Sequence, residues 1–171
     1  MNIFDNIEFL IGPDGKIVGC HSRTEKFKTL RVAVISCSKR KQKGIHRAEH
    51  LYSSPLFRAS IAYAMAHFER VYILSAKYGL LSPDDRVESY NVHINSLSKS
   101  RRRRWAEMTA AMMLNRIPKG SHVSFFCGKA YRENLIPFVV NRFKVEIPLK
   151  GLAIGKQLRW FNSHNKSGYR H

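Results

Sequence analysis

Val32-Ala33-Val34-Ile35-Ser36-Cys37-Ser38-Lys39-Arg40-Lys41 is the stretch that decides the fold. Its first four residues form an unbroken apolar run, which suits a strand covered on both faces rather than one with a wet side. Serines and cations follow at once, where such a strand would surface. The pattern recurs: apolar runs at 71–74, 123–127 and 145–147 each end in a polar loop. Between the runs lie helical periodicities at 54–68, 98–116 and 130–143, with a last short one at 154–163. Pro55 suits a first helical turn, with Leu56, Ala59, Tyr63 and Ala66 as its apolar stripe. Trp105, Met108, Met112 and Leu114 are read as the inward residues of the helix at 98–116, which Pro118 and Gly120 end. Alternation of this kind predicts an α/β fold: a mostly parallel central sheet of about four strands, flanked by helices and joined by right-handed crossovers.

Ahead of this core, short apolar runs at 7–11 and 16–20 flank Gly12-Pro13-Asp14-Gly15, the pattern of a β-hairpin. The expected organisation is one α/β domain over 1–171. It comprises a hairpin and polar linker at 1–30, a core at 31–163 and a basic tail at 164–171.

Charge narrows the partner. Thirty Lys and Arg against 12 Asp and Glu give a net charge of +18 over 171 residues. An excess of that size is expected of a protein that neutralises phosphates. The cations cluster at Lys39, Arg40, Lys41 and Lys43, at Lys99 with Arg101, Arg102, Arg103 and Arg104, and along the acid-free stretch 150–171. No apolar run reaches the roughly 20 residues of a membrane span. The opening residues lack a signal-peptide pattern, so a cytoplasmic location is expected.

Three cysteines, Cys20, Cys37 and Cys127, make neither a disulfide framework nor a Cys-x-x-Cys pair. His46 and His50 have an i, i+4 spacing that could chelate on a helix, but a polar loop entering a helix is the simpler reading, and no metal is expected. A P-loop and a Rossmann fingerprint are both absent, so no nucleotide cofactor is expected.

Ligands of open α/β sheets bind outside the carboxyl ends of the strands. Four loops should meet there: residues 36–41, 75–90, 128–131 and 148–156. The second combines Lys77, Tyr78, Gly79, the pair Asp84-Asp85 and Tyr90. A carboxylate there can activate water or stabilise positive charge on a sugar, and the tyrosines can stack an extruded base. Ser-Pro-Asp-Asp is equally good turn chemistry. Lys77 could clamp a phosphate or form a Schiff base. Cys37 reads either as a core-edge residue or as a thiol activated by nearby cations.

Leu74-Ser75, Tyr78-Gly79-Leu80-Leu81, Pro83, Asp85 and Tyr90 together resemble the signature of the YaaA family, DNA-binding proteins linked to peroxide stress. The resemblance runs over 32–160 and implies a uracil-DNA-glycosylase-type fold. It also favours Asp85 over Asp84, because only Asp85 stands on the matching position. The first loop is similar to the Cys-x-x-x-Lys segment of the accessory domain in archaeosine synthases and related tRNA-guanine transglycosylases. Cys37 and Lys41 match there, while Gln42-Lys43 replace the Pro-Tyr of that pattern. A helix-hairpin-helix element is not recognisable, so a grip on duplex would fall to the arginine run and the basic C-terminus.

The expectation is a monomeric DNA-binding hydrolase acting on a nucleobase, foremost a DNA glycosylase excising a modified base in base-excision repair. Its catalytic residues would be Asp85 and Lys77. Ser36, Cys37, Ser38, Tyr78, Gly79, Tyr90, Gly128 and Tyr131 would hold the base. Lys39, Lys41, Arg101, Arg102, Arg103, Arg104, Lys129 and Lys156 would hold phosphates. A noncatalytic DNA-binding stress or regulatory protein and a tRNA base-modifying enzyme are the alternatives.

Overall fold

The computed structural model describes residues 7–11, 17–22 and 28–166. Strands β1 (Ile7–Ile11) and β2 (Ile17–Ser22) pair antiparallel, with Phe9 opposite Cys20. The turn expected at Gly12-Pro13-Asp14-Gly15, the linker residues 23–27 and the tail residues 167–171 lie outside the described residues.

The core follows from the unbroken apolar runs. β3 (Arg31–Ser36), β5 (Arg70–Ser75), β8 (His122–Phe126) and β9 (Lys144–Glu146) form a parallel sheet, bordered by antiparallel β6 (Gly79–Leu81), in the order β6-β5-β3-β8-β9. Val32, Ala33, Val34 and Ile35 of β3 are completely buried. The alternation of side chains along a strand sends Val32 and Val34 to one layer and Ala33 and Ile35 to the other. The four middle residues of this central strand carry no polar side chain, so their burial on both faces costs no side-chain desolvation.

Helices cover both faces. α2 (Pro55–His67) and α5 (Ile154–Lys166) pack together on one, and α3 (Lys99–Arg116) and α4 (Lys129–Val139) on the other. α2 starts as its sequence predicts: Pro55 occupies its first turn and the Phe57 amide donates to Ser54 Oγ at 3.2 Å. α3 turns about its axis differently from the expectation. Met108 and Leu114 are exposed, while Trp105, Ala106, Thr109, Ala110 and Met113 are buried. The 3.6-residue period selects 105, 109 and 113 as one stripe, with 106 and 110 beside it.

Several short elements lie outside the expected pattern. β4 (Ile45–Arg47) pairs antiparallel with β7 (Arg86–Glu88), and β4 leads into the single turn α1 (Ala48–Leu51). His46 therefore lies on a strand and His50 on a helix, so their i, i+4 spacing does not set them on one helical face. β6 fills part of the segment read as a loop at 75–90. Three-residue strands contain too few alternations to show a period.

Candidate functional site at the carboxyl edge of the sheet

β3 is followed by α2 on one face, whereas β8 is followed by α4 on the other. The chain leaves these adjacent strands in opposite directions, which opens a crevice outside their carboxyl ends. A cleft of about 470 Å³ lies there, lined by Ser36, Gly128, Lys129, Tyr131, Asn95 and Arg102 among others. Gly128 precedes α4 and no side chain caps that helix, so its first amides and the positive end of its dipole face the cleft.

Behind the cleft the strand ends are tied together by hydroxyl groups. Cys37 Sγ and Tyr131 Oη lie 3.1 Å apart in a hydrogen bond. Tyr90 Oη is hydrogen-bonded to Ser75 Oγ at 2.7 Å and to Tyr52 Oη at 2.9 Å. Ser75 Oγ also accepts the amides of Lys77 at 3.2 Å and Tyr78 at 3.0 Å, which folds the chain over at the end of β5. The indole of Trp105 donates to the Ser75 carbonyl at 2.9 Å, anchoring α3 to the same point.

Two lysines meet over this cluster. Lys41 Nζ lies 4.3 Å from the centre of the Tyr90 ring, and Lys77 Nζ lies 4.8 Å from the Tyr78 ring and 5.9 Å from that of Tyr90. Tyr78 and Tyr90 meet edge to face at 5.4 Å. Burial lowers the Lys41 ammonium from its ordinary value, with the Cys37 thiol acting in the opposite direction. Burial raises the phenols of Tyr52, Tyr90 and Tyr131 above theirs. It also pushes the Cys127 thiol up to about 12.

The structure thus gathers Ser36, Cys37, Lys41, Lys77, Tyr78, Tyr90, Gly128, Lys129 and Tyr131 near one edge of the sheet. Tyr52 and Trp105 join them without any local signal in the sequence. Tyr52 arrives because residue 41 bridges residue 52 across the chain.

Asp85 goes elsewhere. Asp85 sits in the turn after β6, which runs back toward the amino end of β5; Ser82, Pro83 and Asp84 line a different cleft there with Arg70 and Val71. Asp85 Oδ2 accepts the Ser82 amide at 2.8 Å and the Asp85 amide donates to the Ser82 carbonyl at 3.1 Å, so the carboxylate ties its own turn. Gly79 is buried against α3 with φ +74, and its close approach is to Met112, Met108 and Thr109. Ser38 Oγ donates to the Arg40 carbonyl at 2.8 Å, Lys39 is exposed, and Lys156 lies in the first turn of α5.

The arginine run does not face the cleft as a whole. Successive helical residues point about 100° apart. Arg102 alone of the four lines the cleft, its Nε donating to the Leu97 carbonyl at 3.1 Å. Arg103 pairs with Glu107 at 3.0 Å, and Arg101 and Arg104 are exposed. Lys129, on the cleft's other side, pairs with Glu133 at 3.2 Å.

Residues 32–163, which include every element of this site, match the model of a family described as a "Family of unknown function (DUF6884)". The chain belongs to that family. It is also similar to the uncharacterized protein YfjM of Bacillus subtilis, 42% identical over an alignment of 69 residues that covers 36% of this chain and 46% of YfjM. The matched part is thus under half the length of that relative. Among the described residues no helix is long and apolar enough to cross a membrane, and no group of three or more His, Cys, Asp or Glu could hold a metal ion.

Proposed function

We propose that the chain binds nucleic acid and holds one base, displaced from its stack, in the cleft outside β3 and β8. One observation carries this reading: the cleft at the sheet's crossover point is flanked by Arg102, Lys129 and the uncapped start of α4. Those groups suit phosphates. The aromatic and hydroxyl side chains behind them suit a planar, hydrogen-bonding base. The net charge of +18 and the resemblance of residues 74–90 to the YaaA signature support DNA as the polymer.

The reaction we put forward is hydrolysis of the N-glycosidic bond: water adds to C1′ of the sugar and the base leaves with a proton. The hydrogen bond from the Ser82 amide to Asp85, and its turn's place toward the other edge, argue against Asp85 as the group that activates this water. Glu133 in the cleft is engaged by Lys129. These two facts favour a second reading, in which the site reads a base without cutting it.

Incubation with DNAs bearing modified bases, followed by mass spectrometry for free base, separates the two. Release of a free base supports the glycosylase; salt-sensitive binding without product supports the reader. In either case Arg102→Gln and Lys129→Gln should each reduce the salt dependence of binding by about one phosphate contact, whereas Arg104→Gln should not. Tighter binding of folded RNA than of DNA would move the proposal to tRNA bases. Absence of binding to any nucleic acid would sink it.

A further inference from the structure

A second cleft, of about 400 Å³, opens on the α2/α5 side of the sheet. Its lining runs from Arg31 and His122, the first residues of β3 and β8, through Ser124 to Phe126 and Glu146, the last residues of β8 and β9. It therefore lies along the sheet face that α2 and α5 cover, whereas α4, which borders the cleft above, covers the other face. Its walls are aromatic. Tyr63 meets Trp160 at 5.0 Å and Phe126 at 5.8 Å, and Phe68 meets Phe126 at 5.7 Å, all edge to face. Trp160 is half-buried, and the exposed His164 stacks on it at 3.9 Å with 23° between the rings.

Two charged groups of opposite sign complete the cleft. The Arg31 guanidinium lies 5.3 Å from the centre of the Phe68 ring. Glu146 is exposed at the end of β9, where Ser124 Oγ donates to its Oε2 at 3.3 Å. Among the described residues, Oε1 of Glu146 has no partner. A wholly apolar ligand would leave that acceptor unused, and an anionic head group would be repelled by it. A simple cation would meet Arg31. A planar ring bearing an amino group satisfies all three elements, with its faces on the aromatic walls, its N–H on Glu146 and an attached phosphate near the cations.

We infer that this cleft takes an unpaired, amino-bearing base of single-stranded nucleic acid. Stacking on aromatic side chains tolerates any base, while a carboxylate selects one with an exocyclic amine, as glutamate does with cytosine. Lys144 and Arg159, exposed on the two elements that flank the cleft, supply backbone contacts. The inference rests on the nucleic-acid reading above but concerns a different site.

The test is fluorescence anisotropy with single-stranded oligodeoxycytidine and oligothymidine of equal length, using the whole chain, Trp160→Leu and Glu146→Ala. The unaltered chain should prefer cytidine about fivefold or more, and Glu146→Ala, a change at an exposed side chain, should erase the preference. Trp160→Leu should weaken both oligonucleotides about tenfold, as the loss of one stacked base would. Unchanged affinity and preference in both variants would overturn the inference while leaving the first cleft untouched. Lack of binding of either oligonucleotide by the unaltered chain would overturn this inference too, whereas the first reading falls only if no nucleic acid of any kind is bound.

Discussion

The thiol of Cys37 and the hydroxyl of Tyr131 share a hydrogen bond of 3.1 Å, which ties the residue after β3 to the first turn of α4. It crosses the crevice floor where the two strands part. Tyr131 is buried and meets Trp105 at 5.4 Å, so its ring is held by packing even without the hydroxyl. Tyr131→Phe should therefore cost only about 1 kcal/mol, the net value of one hydrogen bond. Tyr131→Ala should cost about 3 kcal/mol or more by opening a cavity. Urea unfolding of the two variants checks the ranking.

Asp85→Ala should destabilise the chain by about 1 kcal/mol, because the Ser82 amide loses its carboxylate partner. Asp84→Ala, at an exposed position with no such bond, should change stability by less than about 0.5 kcal/mol. Neither should alter nucleic-acid affinity. If Asp85→Asn instead abolished release of a base at unchanged stability, the carboxylate would have a chemical role that its turn geometry does not indicate.

Gly79→Ala meets two obstacles. Its φ of +74 is unfavourable for any residue with a Cβ, and that atom would stand 3.0 Å from Met112 Sδ, 3.1 Å from Met108 Cε and 3.2 Å from Thr109 Oγ1. The methionine tips can yield, but Thr109 is buried on α3 and donates to the Trp105 carbonyl at 2.7 Å. A loss of about 2–4 kcal/mol is expected, read as a lower thermal midpoint.

Alkaline pH should unfold the protein through its tyrosines. Burial is the largest cause raising Tyr52, Tyr90 and Tyr131. The stability they contribute is fully present below the ordinary phenol value of 10.0 and falls above it, because only the unfolded chain ionises there. Lys41, lowered by burial, works the other way: its penalty is relieved as pH rises toward 10.5. With three phenols against one amine, stability should fall above pH 10. Absorbance at 295 nm should show these tyrosinates appearing together with loss of the far-ultraviolet circular dichroism signal, not before it.

The layered core was legible because its signals are local. Residues 32–35 are apolar without interruption, and a strand buried on both faces must be. Ser54 and Pro55 announced α2 for the same kind of reason, since an N-cap and a first-turn proline act within a few residues. The loops after β3, β5 and β8 could be assigned to one edge, because parallel strands bring their carboxyl ends together. The inward stripe of α3 was misread, since the chain offers apolar residues on more than one side of that helix.

The site was only partly legible. Asp85 and Tyr90 are neighbours in sequence, yet β6 reverses the chain and carries Asp85 back toward the amino end of β5. No local pattern marks a three-residue strand that does this. Tyr52 and Trp105 come from distant segments to Tyr90 and Ser75, and long-range pairing of that kind leaves no periodic trace.

Taken alone, the sequence determined the mostly parallel α/β core, the cationic character and the edge at which the loops after β3, β5 and β8 gather. Each depends on composition or on spacings of a few residues. Tertiary structure decided which side chains face one another across that edge. It put Cys37 on Tyr131 and two lysines over Tyr90, and turned Asp85 away. Such meetings depend on how strands return and helices rotate against the sheet, which burial across the whole core settles.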